Sequence, residues 1–172
     1  MIILGIDVPG KYFGGYAVCE YKSLYPSKDD RFRESMPITF SETKSEMDHY
    51  RQLGNLIITM DKKYTLDGIV MEHPFLYRIA QWIGGIKMFI AWNRPEIPWV
   101  MVTTSSAQKL VYGHALREKR INKNGREVSA NKEYVLNDMQ ARYGLGKTFT
   151  QHQADALLYA MAGARYLEKK HG

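Results

Sequence analysis

Cysteine is almost missing. Cys19 is the one thiol in 172 residues, which excludes an internal disulfide framework and any Cys-based zinc cluster and fits a reducing compartment. Long apolar runs are missing too, since none approaches the ~20 residues that a membrane span requires. The stretch from Met1 to Asp7 has no basic region ahead of its apolar one, so no secretory signal is expected and the expected location is the cytoplasm. There is no internal repeat and no low-complexity tract. Gly (14) and Pro (6) stay near the globular average, which excludes collagen-like and disordered chains. Acid is the scarcer charge: 18 Asp and Glu stand against 24 Lys and Arg, a net charge of +6. That balance fits a partner rich in negative charge, although many basic domains of this size bind no nucleic acid.

What is present is a chain of alternating short elements. The β-branched run Ile2 to Ile6 and the apolar run Gly14 to Cys19 flank a Pro9-Gly10 turn signal and predict a buried β-hairpin. Residues 22–34 have turn composition, and Met36 to Phe40 reads as a third strand. A helix is expected over Lys44 to Lys63 with Ser41 or Thr43 as its cap. Leu66 to Met71 reads as a strand ending at Glu72, Phe75 to Trp92 as a helix halted by Arg94-Pro95, and Trp99 to Val102 as a strand. A short helix over Ser105 to Tyr112 ends at Gly113. The stretch from His114 to Ser129 is the densest in basic residues, and two helices, Asn131 to Tyr143 and Gln151 to Lys170, complete the chain. Together they describe an α/β domain, a mixed sheet carrying helices.

Three acids stand where such a sheet builds its sites. Asp7 and Glu72 each lie at the carboxyl end of a strand, the edge at which open α/β sheets bind ligands. Asp155 lies on the last helix with His152 one turn before it, and i, i+3 residues share a helix face. The apolar neighbours Ala154, Ala156, Leu157 and Leu158 make Asp155 either a costly buried charge or one compensated by a cation. Taken singly, each acid has an ordinary explanation as a cap, an ion-pair partner or a solvated helix residue. Jointly they form the oxygen-donor set that hard divalent cations such as Mg²⁺ take.

These residues also carry a resemblance. Leu4-Gly5-Ile6-Asp7 with Pro9-Gly10 and Gly15-Tyr16-Ala17-Val18, then Ile69-Val70-Met71-Glu72-His73-Pro74-Phe75, then His152-Gln153-Ala154-Asp155-Ala156-Leu157, resemble the RuvC family of Holliday junction resolvases over nearly the whole chain. The resemblance implies an RNase H-like fold, α/β with a five-stranded mixed sheet and helices on both faces, as a single nuclease domain over residues 1–172. It implies a site of Asp7, Glu72, His152 and Asp155 that binds two Mg²⁺ ions, with Mn²⁺ able to substitute. Val8 stands where the family usually has Pro, and His73-Pro74 follow Glu72. The basic stretch is longer than the corresponding family loop, which is similar to divergent, phage-type members and would place the protein in the bacterial host cytoplasm.

The implied activity is two-metal-ion hydrolysis of a phosphodiester bond in a Holliday junction, in recombination and repair, with other branched DNA open as substrate. A four-way junction is two-fold symmetric and the chain has material for one site, so a homodimer is implied. Ile83, Ile86, Phe89 and Ile90 would supply its interface or simply pack in the core. Phe75 matches a family aromatic that stacks on an unpaired base, and Lys109 and Lys132 sit where the family has basic residues near the scissile phosphate. Arg117, Lys119, Arg120, Lys123 and Arg126 would contact phosphates. Competing assignments are an RNase H-fold nuclease acting on RNA, flaps or forks, and a non-catalytic branched-DNA-binding module. An actin-like kinase or ATPase would need a second phosphate loop and an adenosine motif, which 172 residues do not offer.

Overall fold

A computed structural model describes residues 1–9, 13–22, 30–42, 45–73 and 77–171, without the side chains of 77–82, 89 and 171. β1 (Ile2–Asp7), β2 (Phe13–Glu20), β3 (Arg31–Thr39), β4 (Gly68–Glu72) and β5 (Trp99–Val102) form one sheet in the order β3-β2-β1-β4-β5. β1 runs antiparallel to β2 and parallel to β4, and β4 runs parallel to β5. The sheet is therefore five-stranded and mixed, as expected. No helix among the described residues is long and apolar enough to cross a membrane.

Strand alternation assigns each side chain to one of two cores. Ile3 of β1, Ala17 and Cys19 of β2 and Val70 of β4 point to the face covered by α3 (Thr104–Tyr112), α4 (Asn131–Tyr143) and α5 (Gln151–His171). Leu4 and Ile6, Tyr16 and Val18, and Ile69 and Met71 point to the opposite face, where Leu53, Ile57 and Met60 of α1 (Glu46–Tyr64) and Ile83, Ile86 and Ile90 of α2 (Tyr77–Asn93) cover them. Ile83, Ile86 and Ile90 thus belong to the core and offer no subunit interface. Two residues on from Gly5 and from Val70, Asp7 and Glu72 fall on the α5 face.

Glycine sets how closely α5 lies on the sheet. A Cβ on Gly5 would run into the Ala156 carbonyl, and one on Gly15 would lie 2.6 Å from the His152 carbonyl carbon. Gly15 is the β2 residue paired with Asp7. The missing side chain beside Asp7 is therefore the space that the first turn of α5 occupies.

Three elements depart from expectation. β3 begins at Arg31, within the stretch whose composition predicts a turn, because it is an edge strand in which charged Arg31 and Arg33 alternate outward. The cap of α1 is Ser45 rather than Ser41: its hydroxyl accepts from the Asp48 N–H while the Asp48 carboxylate accepts from the Ser45 N–H, a reciprocal box, and Thr43 lies outside the described residues. The basic stretch contains a second sheet, the hairpin β6 (Lys119–Ile121) and β7 (Glu127–Ser129). α3 begins with Thr103 as its cap and ends at Gly113 with φ 82°, a left-handed position that suits glycine.

Candidate active site

β1 and β4 end side by side. Ile6 pairs with Met71, and one residue further Asp7 and Glu72 close the two strands on the α5 face. Helix α5 brings its first turns over that edge, and His152 Nδ1 lies 2.6 Å from Asp7 Oδ2. One turn on, Asp155 is buried at 5% exposure. Its Oδ1 accepts from Gln151 Nε2 at 3.0 Å, and its Oδ2 lies 3.8 Å from Lys132 Nζ at the start of α4. Glu72 Oε1 accepts at 2.7 Å from Thr104 Oγ1, and the Tyr159 hydroxyl lies 3.2 Å from that same Thr104 oxygen.

The electrostatics report a concentration of negative charge. Burial raises the Asp155 carboxyl to about 6, the Asp7 charge adds to the rise, Glu72 contributes in the same direction, and Lys132 and Gln151 oppose it. The hydrogen bond to Asp7 raises His152 above its ordinary value, against the opposing effect of partial burial. Burial, followed by the Glu72 charge, raises the Tyr159 phenol. Five groups from β1, β4 and α5 thus share one electrostatic environment.

Each of the three carboxylates has one oxygen held by a protein donor: Asp7 by His152, Glu72 by Thr104 and Asp155 by Gln151. Among the described residues no three His, Cys, Asp or Glu side chains stand around one point as a closed metal shell. The donor set nevertheless suits a hard divalent cation, since it combines anionic oxygens with one imidazole, and a cation would compensate the buried Asp155 charge and its repulsion by Asp7 and Glu72.

The residues expected around this centre fall into three groups. Lys132, which the resemblance puts near the scissile phosphate, lies beside Asp155. Lys109 is exposed in the last turn of α3 and lines a surface hollow with His114 and Arg117. Of the five expected phosphate contacts, Lys119 pairs with Glu127 and Arg120 with Glu133, both at 3.0 Å, while Arg117, Lys123 and Arg126 make no ion pair among the described residues. Phe75 lies outside the described residues. Thr104, Tyr159 and Gln151 are additions that motif spacing did not supply. Tyr159 and Gln151 stand four residues either side of Asp155, the spacing of neighbours on a helix face, and Thr104 lies just past the carboxyl end of β5.

No protein-family model matches the sequence, and no curated protein matches it. Solved structures do. Thermus thermophilus RuvC superimposes with a TM-score of 0.75 at 18% identity, covering 99% of this chain and 97% of the other. The same organism's RuvC in complex with a Holliday junction substrate gives 0.74 at 19% identity, covering 99% and 96%. The fowlpox virus resolvase in complex with Holliday junction DNA gives 0.58 at 14% identity, covering 97% and 99%. The chain has the RNase H-like fold of RuvC.

Proposed function

We propose that this protein is a divalent-metal-dependent endonuclease that resolves Holliday junctions, formed of a single domain and acting as a homodimer. The observation that carries the proposal is the convergence of Asp7, Glu72, His152 and Asp155 at the carboxyl edge of β1 and β4, on a fold whose similar structures include two solved with junction DNA. Mg²⁺, with Mn²⁺ as its substitute, is the ion these oxygens suit. Asp7, Glu72 and Asp155 would hold it, and His152 would join them through its neutral form only. A pair of such ions supplies charge to the scissile phosphate and acidifies the attacking water.

The chain's own groups prepare that chemistry. Thr104, backed by the buried Tyr159, fixes one oxygen of Glu72 and leaves the other for the ion. Gln151 does the same for Asp155. His152 holds Asp7 through its hydrogen bond, and the imidazole would have to release its proton before it could ligate. Lys132 is exposed beside the acids and offers a cation to a phosphate entering the site.

The two-fold symmetry of a four-way junction asks for two such sites. Exposed Met47 and Met88 with Trp92, beside Tyr50 on α1 and α2, form an apolar groove that serves as the subunit contact. The test is incubation of labelled four-way junction, flap, duplex and RNA–DNA hybrid with and without Mg²⁺ or Mn²⁺. Paired symmetric nicks in the junction are expected, and Asp7→Asn or Asp155→Asn should abolish them while binding persists. A wild-type protein that cuts the hybrid or flap but spares the junction would overturn the assignment.

A further inference from the structure

The β6–β7 hairpin stands apart from both hydrophobic cores, yet it is rigidly built. Asn122 Oδ1 accepts the backbone N–H of both Asn124 and Arg126 at 2.9 Å, the Asn122 N–H donates to the Arg126 carbonyl at 2.8 Å, and Gly125 takes the left-handed φ of 71° that closes the turn. At the base, the Ala130 N–H donates to Glu118 O at 2.8 Å and Asn131 Nδ2 donates to Leu116 O at 3.0 Å. A solvated charged loop has no need of such a scaffold.

Its two faces differ. Arg120 and Val128 form the face turned toward α4, where Arg120 pairs with Glu133. Lys119, Ile121, Glu127 and Ser129 form the other. Ile121 is 67% exposed and touches neither core. At the tip, Lys123 and Asn124 are exposed, and among the described residues their side chains make no hydrogen bond or ion pair. An exposed aliphatic side chain on a hairpin whose tip carries an amide adds nothing to phosphate contact, which takes cations, hydroxyls and amide N–H groups. It suits base edges, where Asn pairs with adenine and an aliphatic group meets the thymine methyl.

We infer that this hairpin enters the major groove of the duplex arm next to the cleaved phosphate, with Ile121, Lys123 and Asn124 against base edges, and so sets the sequence preference of cleavage. The inference rests on the nuclease assignment above. Three features support it. A two-stranded ribbon fits the ~12 Å major groove and is too wide for the ~6 Å minor groove. Arg126 at the turn and Arg117 at the base make no ion pair among the described residues and are placed to hold phosphates on either side. The hairpin runs directly into α4, whose Lys132 reaches Asp155, so a duplex seated on the ribbon leads to the acid cluster.

Dimethyl sulfate footprinting of guanine N7 on junctions bound in metal-free buffer tests it, because N7 lies in the major groove. Wild-type protein should protect a short run in the arm leading to the cut, and the triple variant Ile121→Ser, Lys123→Ala, Asn124→Ala should lose that protection with its melting temperature unchanged. On junctions with a randomised cleavage site, the rate ratio between best and worst sequences should shrink by roughly 5- to 150-fold per lost base contact. Wild-type binding without N7 protection overturns the inference while leaving the nuclease assignment intact, and so does a triple variant that binds every sequence uniformly more weakly with the same preference. A wild-type protein that binds no branched DNA overturns both.

Discussion

The two faces of the sheet are packed to different specifications. On one, α5 lies so close that Gly5, Gly15 and Gly163 have no room for a methyl group, the last against Val70, and the helix side is built from Ala154, Ala156, Ala160, Ala162 and Ala164. On the other, larger side chains such as Leu53, Ile57 and Ile86 fill the space, and Met47, Met88 and Trp92 of the covering helices remain exposed. The acids sit on the close-packed face and the apolar groove on the other. Chemistry at a strand edge needs a helix backbone held to within tenths of an ångström, whereas a contact surface needs only apolar area. Small residues serve the first purpose and long flexible ones the second.

The same substitution should give opposite results under α5 and on the solvent side of α2, where Gly84 is exposed. Gly5→Ala drives a methyl group into the Ala156 carbonyl, where the obstacle is backbone, and is expected to cost about 3 kcal/mol or more. This corresponds to a loss of roughly 6–12 °C in melting temperature, together with the proposed junction cleavage. Gly84→Ala, inside α2 and facing open space, should stabilise by about 1 kcal/mol through helix propensity alone. Thermal melts of the two variants side by side decide the point, and equal shifts would show that Gly5 is not held by close packing against α5.

Between these extremes lies the strain of the acid cluster itself. Raising Asp155 from 3.8 to about 6 corresponds to about 3 kcal/mol of unfavourable charge at neutral pH without metal. Because the folded value is the higher one, this group stabilises the fold in its protonated form, fully below about pH 4, and that contribution is lost as pH rises through about 6. The raised His152 value acts in the same direction, its contribution being lost above 6.5. In EDTA, Asp155→Asn is expected to melt above wild type at pH 7.5 and level with it at pH 4. Mg²⁺ should then raise wild type more than the variant. A variant that melts lower than wild type at pH 7.5 without metal would contradict the account.

The smallest effect on stability belongs to the other face. Met88→Glu with Trp92→Glu replaces exposed side chains and should move the melting temperature by the equivalent of about 0.5 kcal/mol or less. On the proposed assembly it should lower the sedimentation coefficient from that of a dimer to that of a monomer, and reduce paired nicks to single ones. An unchanged sedimentation coefficient would place the subunit contact elsewhere.

Much of this was legible in the sequence because alternation and strand-end position are local signals. Asp7 and Glu72 follow apolar strands, and His152 and Asp155 share a helix face, so their meeting could be expected before any coordinates. β3 was legible only from Met36 onward, since a solvated edge strand carries charges that imitate a turn. The hairpin β6–β7 was hidden for a similar reason: three-residue strands of Lys, Arg and Glu have no apolar alternation to reveal them. Thr104 and Tyr159 were unreadable because a hydroxyl aimed at Glu72 depends on how β5 and α5 are arranged in space, which spacing along the chain does not encode. The alanines of α5 look like ordinary helix formers until Gly5 is seen opposite them.

The contact between Asp7 and His152 joins residues 145 positions apart. A ribosome adding about 5–20 residues per second makes the first of these carboxylates roughly 7–30 s before the helix that completes the centre. Until α5 emerges, β1 has no cover on one side and the acids have no partners. A nascent or prematurely terminated chain thus carries a sheet without the completed acid cluster, and whatever chemistry that cluster performs begins only once translation has reached the last helix.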